Sequence, residues 1–253
     1  MSESHFKDYF STQSAAYARY RPGYPDALVD ALADACCRCD TAVDCGCGAG
    51  QLSVLLARRF ARVIALDASR NQIENAKPCP GVEYRVATAE NTRLPDASVD
   101  LIAAAQAAHW LDLERFYAEA ERIAKPGATL ALIAYGLMRI DADEDLNASI
   151  RDFYDGVLGD YWPAERRQVE TGYRELRFPF RELGFPPLSM AAQWDLAQLM
   201  GYIRTWSAVK ALETCQGTAP IERFQDGLAS LWGDARVKKP VRWPLSVRIG
   251  RIA

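Results

Sequence analysis

Five residues have types and spacing suited to ligand chemistry: Asp44, Gly46, Gly48, Gly50 and Asp67. The three glycines alternate in the stretch VDCGCGAG, between a short apolar run and a helical pattern. A glycine turn after a strand lets a ligand come close to the backbone, as in nucleotide and nucleoside sites. The dinucleotide fingerprint G-x-G-x-x-G would need glycine at position 51, where this chain has Gln51. Charge separates the remaining ligands. Asp44 would repel a pyrophosphate that lacks a metal and attract an amino group or a sulfonium. Asp67 ends the next apolar run, where a carboxylate accepts from both hydroxyls of a ribose. A ribose that carries a cationic group describes S-adenosylmethionine.

Other residues admit two readings each. Gln106 and His109 follow a later apolar run; His109, one of two histidines, suits a general base or a partly buried histidine satisfied by backbone. Cys36, Cys37, Cys39, Cys45 and Cys47 crowd the region before and within the glycine turn, but their spacing is not the paired C-x-x-C of a zinc site, and no metal is expected. Arg204 and Lys210 suit a substrate clamp or a solvated helix face. Trp110, Trp194, Tyr202 and Trp206 suit a substrate cage or a packed core.

The elements that must position these residues alternate between strand and helix. TAVDC (41–45) and RVIALD (62–67) read as buried strands, each followed by a helix: one with Leu52, Leu55, Leu56 and Phe60 on one face, the other running through RNQIENAK with Ser69 as N-cap. Further strands are expected at 82–89, 99–106 and 128–135, with a helix at 112–124. Strands joined by crossover helices imply a parallel, doubly wound sheet. Residues 137–187 are polar and aromatic and read as a helical insertion that forms a lid. A strand at 187–194, a helix from Asp195 to about Val209, a helix from about Pro220 to Leu231 and a last strand at 242–252 complete the chain.

Composition sets bounds. The chain has 253 residues, 49% of them hydrophobic, enough for one large α/β domain. A net charge of −3 gives no positive field for a nucleic-acid backbone. The absence of a long apolar run and of a signal-peptide pattern, with seven cysteines, points to a cytoplasmic protein with reduced thiols and no membrane partner.

The segments VDCGCGAG, ALDAS, RLPDASVDLI and RIAKPGATLAL, in this order, closely resemble the class I S-adenosylmethionine-dependent methyltransferases over roughly residues 40 to 136. YFSTQSAAYARYRPGYP and YIRTWSAVKAL resemble the branch of trans-aconitate and related small-acid methyltransferases. The resemblance implies a single Rossmann-like α/β domain: an arm at 1–24, a cofactor core at 25–136, the insertion at 137–187 and the remainder at 188–253. It implies seven strands, the last antiparallel. It also implies that Gly46, Cys47, Gly48 and Gly50 hold the methionine part of S-adenosylmethionine near Asp44, that Asp67 holds the ribose, and that Ala68 lies at the adenine edge. Thr88, Ala89 and Glu90 would complete the adenine site, although many relatives have an acid where this chain has Thr88. Gln106 would lie near the transferring methyl. Tyr20 and Arg21, with Tyr17, would close over the site, Arg21 meeting the cofactor carboxylate. The acceptor would be a small molecule, a carboxylic acid, and the protein a monomer or homodimer. An NAD-dependent oxidoreductase and a catalytically silent cofactor-binding module are the alternatives from other classes.

Overall fold

The computed structural model describes Tyr20 and residues 22–252. Helix α1 (Asp26–Asp34) leads into strand β1 (Thr41–Cys45), and the chain then alternates through α2 (Gln51–Leu56), β2 (Arg62–Asp67), α3 (Arg70–Glu74), β3 (Val82–Val86), β4 (Val99–Ala105), α4 (Leu113–Ile123) and β5 (Ala124–Tyr135). Pairing is parallel from β3 through β2, β1 and β4 to β5. The last strand in chain order, β9 (Lys239–Arg251), runs antiparallel to β5. A two-residue strand, β7 (Arg181–Glu182), lies on its other side. This is the expected Rossmann-like sheet, with its strand order reversing between β1 and β4. Ligands of such sheets bind beyond the carboxyl ends of the strands at that reversal.

The strands bury alternate residues on opposite faces, as the pleat requires. Ala42, Val63 and Leu101 pack with Leu28 and Leu32 of α1 and Leu52 and Leu56 of α2. Val43, Ile64 and Ile102 pack on the other side with Phe116 and Ile123 of α4. A third core unites the region after β5 with the C-terminal helices. It includes β6 (Arg139–Ile140), α5 (Glu144–Arg151), a π-helical turn (Asp152–Val157), β8 (Ser189–Trp194), α7 (Leu196–Ile203), α8 (Ser207–Gln216) and α9 (Ala219–Trp232). Between α5 and β8 lies the short helix α6 (Arg166–Glu170). Trp243, fully buried, sits edge-on to Tyr202 at 5.5 Å and to Trp194 at 4.8 Å. Strand β9 joins the layers: its first half, to Pro244, pairs with β8, and its second half, from Leu245, pairs with β5. Among the described residues no helix is long and apolar enough to cross a membrane.

Local departures from the sequence reading have physical causes. The helix expected from Asp195 to about Val209 is two helices. Asp195 and Gln198 form a reciprocal capping box at the start of α7. The chain then leaves the helix where the Thr205 hydroxyl donates to the Tyr202 carbonyl at 2.6 Å and Trp206 becomes extended (ψ 138°) to seat its indole in the third core. The strand expected at 82–89 stops at Val86. The stretch 137–187, read as helical, also contributes β6 and β7, because β9 offers edges to both.

Candidate active site

The glycine loop is bent back over the tip of β2. The amides of Gly46 and Cys47 both donate to the Leu66 carbonyl, at 2.8 and 2.9 Å. Gly46, Gly48 and Gly50 have φ of +69°, +55° and +84°, a region costly for residues with a Cβ. Two of the three are also crowded. A Cβ on Gly46 would lie 2.6 Å from the Ala107 Cβ, and one on Gly50 would lie 2.3 Å from the Tyr84 hydroxyl. The loop thus packs against the end of β4 on one side and β3 on the other.

Two carboxylates fix and charge this loop. Asp67 Oδ2 accepts the Gly48 amide at 2.9 Å, and its Oδ1 accepts the Ser69 amide at 2.8 Å. Asp44 is 1% exposed. Its Oδ2 accepts the Ser53 hydroxyl at 2.6 Å, while its Oδ1 is buried with no hydrogen-bond partner. Burial pushes the Asp44 carboxyl up to about 7; the Ser53 bond opposes the rise and the charge of Asp67 adds to it. A buried, unmatched carboxylate oxygen is costly, and a cationic group arriving there satisfies it. These residues therefore fit the aminoacyl and nucleoside parts of S-adenosylmethionine. The Cys47 thiol is held well above its ordinary value by burial, then by Asp44 and Asp67, so it stays protonated. Among the described residues no group of three His, Cys, Asp or Glu side chains could hold a metal.

Gln106, the first residue past β4, has a left-handed conformation, φ +53°. Its amide donates to the Ile133 carbonyl and its Nε2 to the Tyr135 carbonyl, both at 2.8 Å. Such a conformation at a strand end is stored strain of the kind found at functional sites. Ala68 is half-buried between Asp67 and Ser69, Thr88 is exposed with its carbonyl taking the Asn91 amide at 3.2 Å, and Ala89 is buried. Glu90 is turned to the Asp112 amide at 3.0 Å, at the start of α4. Tyr20 lies on the third core, its ring within 2.8 Å of where a Cβ of Gly201 would stand, so α7 needs glycine there. Arg21 and Tyr17 lie outside the described residues.

His109 sits in a 3-10 turn, Ala108–Trp110, directly after β4. Its Nδ1 is 2.8 Å from the hydroxyl of Tyr173, a fully buried residue at φ +62°. Burial, and then the charge of Arg166, lowers the His109 imidazole to about 3. It is neutral at physiological pH and a poor proton acceptor there. Arg204 and Lys210 both bind Glu213, at 3.4 and 3.0 Å, and Arg204 also reaches Gln225. They tie α7, α8 and α9 together and do not gather at the glycine loop. Ser53, Tyr84, Tyr173 and Arg166 are the site residues that sequence reasoning missed. Ser53 alone left a sequence signal, a hydroxyl on an otherwise apolar helix face.

A glycine loop between β1 and α2, an acid at the tip of β2 and one antiparallel strand beside β5 define a Rossmann-like α/β fold with a candidate nucleoside site. A family model described as a methyltransferase domain matches residues 43–132. A provisionally named methyltransferase of Dictyostelium discoideum is 36% identical over 208 residues, covering 81% of this chain and 79% of that protein. The structure of a provisionally assigned type II methyltransferase from Anaeromyxobacter dehalogenans is 45% identical, with a TM-score of 0.87 over 92% of this chain and 98% of the other. A malonyl-[acyl-carrier protein] O-methyltransferase of Dechloromonas aromatica is 30% identical over 169 residues, 66% of this chain and 59% of that one. The chain belongs to the methyltransferase family with the class I, S-adenosylmethionine-dependent fold.

Proposed function

We propose that this chain binds S-adenosylmethionine at the glycine loop and transfers its methyl group to a carboxylate of a small-molecule acceptor, giving a methyl ester. The observation that carries the cofactor reading is the unpartnered, buried Asp44 Oδ1 beside glycines at positive φ. In this reading Asp67 holds the ribose hydroxyls and Ala68 borders the adenine, with Thr88 and Ala89 beside it. Gly46, Cys47, Gly48 and Gly50 line the methionine part, Gln106 lies near the methyl, and Tyr20 covers the site. The insertion serves as a lid over a single domain, as monomer or homodimer in the cytoplasm. Glu90, whose Oε1 accepts the Asp112 amide, offers its other carboxylate oxygen to the adenine site.

The carboxylate acceptor is favoured by the state of His109. A hydroxyl or amine acceptor needs a base, and an imidazole lowered to about 3 does not supply one at neutral pH. A carboxylate is already ionised and needs only positioning. The relative named for O-methylation of a malonyl group points the same way. Incubation of the purified chain with radiolabelled methyl donor and a panel of small carboxylic acids, phenols and amines tests this. Label in a base-labile ester is the expected product; label only in phenols or amines would refute the acceptor class.

A further inference from the structure

Arg166, the first residue of α6, is an arginine without a counter-ion. Its Nε donates to the Tyr154 hydroxyl at 2.7 Å, and its guanidinium carbon lies 5.0 Å from the Trp162 ring centroid and 5.7 Å from that of Tyr154. Glu170 is linked to it only through that same hydroxyl, which donates to Glu170 Oε1 at 2.7 Å. Among the described residues no carboxylate pairs with Arg166, and its two terminal nitrogens make no hydrogen bond. An arginine held by aromatic faces and one neutral hydroxyl keeps its planar fork for a carboxylate.

Helix α6, which Arg166 opens, packs against the 3-10 turn that carries His109, close enough for the charge of Arg166 to bear on both His109 and Tyr173. The Tyr173 hydroxyl, kept protonated by burial, stands 2.8 Å from His109 Nδ1 and has its hydrogen to donate there. A neutral imidazole that accepts at Nδ1 carries its hydrogen on Nε2, an assignment that follows from the bonding network. His109 stands two residues beyond Ala107, whose methyl group presses on Gly46 of the cofactor loop. A guanidinium fork and an imidazole N–H donor are therefore gathered beside the end of β4.

We propose that Arg166 and the Nε2–H of His109 form the acceptor clamp, binding a carboxylate of the methyl acceptor and presenting it to the donor methyl at the β4 end. This rests on the methyltransferase reading above. Transfer forms one O–C bond at the carboxylate and breaks the donor's S–C bond; sulfur keeps the electron pair and no proton moves. The product ester has lost the charge that Arg166 recognises, which favours its release. His109 is a hydrogen-bond donor in this arrangement and not a base.

The test uses the full chain, with aliphatic and aryl monocarboxylates, dicarboxylates and the primary amide of each as probes. Binding is read by calorimetry in the presence of S-adenosylhomocysteine, and turnover is read with the labelled donor. The wild-type protein should bind at least one acid and not its amide. Arg166→Met should raise the KM for that acid by about tenfold or more, with kcat changed far less, since it removes charge-assisted bonds to the acceptor. Arg166→Lys should restore part of the loss, and His109→Phe should weaken acid binding without moving the pH profile. S-adenosylhomocysteine affinity, measured alone, should stay within about twofold in each variant, as expected of residues that do not touch the cofactor. Acid KM unchanged in Arg166→Met, amides bound as well as acids, or cofactor and acid affinity falling together would each overturn the clamp. A wild-type protein that binds acids but no S-adenosylhomocysteine would instead overturn the methyltransferase reading and leave the anion site standing.

Discussion

Replacing Asp44 by asparagine is expected to stabilise the ligand-free protein at pH 8 while weakening its hold on the cofactor. The carboxyl is 1% exposed and rises from 3.8 to about 7 on folding, mainly through burial. Because the folded value is the higher one, the folded chain keeps a proton that the unfolded chain gives up. The contribution to stability is whole below about pH 4 and is lost as pH climbs through 7. The full loss is about 4 kcal/mol at about 1.4 kcal/mol per pH unit, an upper figure because local relaxation and water reduce it. Asparagine is neutral throughout and its carbonyl still accepts from Ser53. The variant should therefore match the wild type below about pH 4, exceed it by about 1–2 kcal/mol at pH 5 and by a few kcal/mol at pH 8. Binding should move the other way: loss of a charge-assisted contact costs about 1.5–3 kcal/mol, or about tenfold to a hundredfold in S-adenosylhomocysteine affinity at pH 8. Urea unfolding followed by tryptophan fluorescence at both pH values, with titration calorimetry, measures both effects. A variant equally destabilised at the two pH values, or one that binds S-adenosylhomocysteine as the wild type does, would refute the reasoning.

Gly50→Ala should lower the melting temperature by several degrees, because its Cβ meets the Tyr84 hydroxyl at 2.3 Å in a left-handed residue, a combined cost of about 1–3 kcal/mol; an unchanged melting temperature would show that Tyr84 moves aside freely. Asp67→Ala should lose most cofactor affinity, whereas Asp67→Asn should keep part of it, since the amide oxygen can still accept from one of Gly48 and Ser69. Equal affinity of both variants and the wild type in calorimetry would remove Asp67 from the ribose. The ring protons of His109 should show no titration in NMR between pH 5 and pH 8, given its value of about 3; a midpoint near 6.5 would restore it as a candidate base. Trp243→Ala should destabilise by about 3–5 kcal/mol, as large-to-small changes in packed cores do, because this residue seats β9 against Tyr202 and Trp194. A small change in urea midpoint would mean the third core does not depend on it.

The parallel sheet was legible because β1, β2 and β4 are nearly continuous buried runs, and such runs declare themselves in a sequence. The glycine loop and its two carboxylates were legible for a related reason: left-handed turns demand glycine, and charge sorts the ligands. What was not legible depended on contacts between distant segments. Strand β7 is two exposed residues that pair only because β9 passes beside them. The break between α7 and α8 has no glycine or proline at Thr205 and Trp206 to mark it; burial of one indole decides it. Glu90 could not be seen to face Asp112 until the turn before α4 was placed. Arg204 and Lys210 had suitable chemistry for a clamp, yet Glu213 takes both. Arg166, one of many arginines in a polar stretch, became notable only when the fold set it beside His109 and left it without a counter-ion.

Titration calorimetry of the purified chain with S-adenosylhomocysteine and, in parallel, with NADH tests the central claim most directly. The carboxylate pair at Asp44 and Asp67 should give saturable binding of the adenosyl compound with no heat from the dinucleotide, whose pyrophosphate would meet Asp44. Binding of NADH with none of S-adenosylhomocysteine would contradict the claim outright.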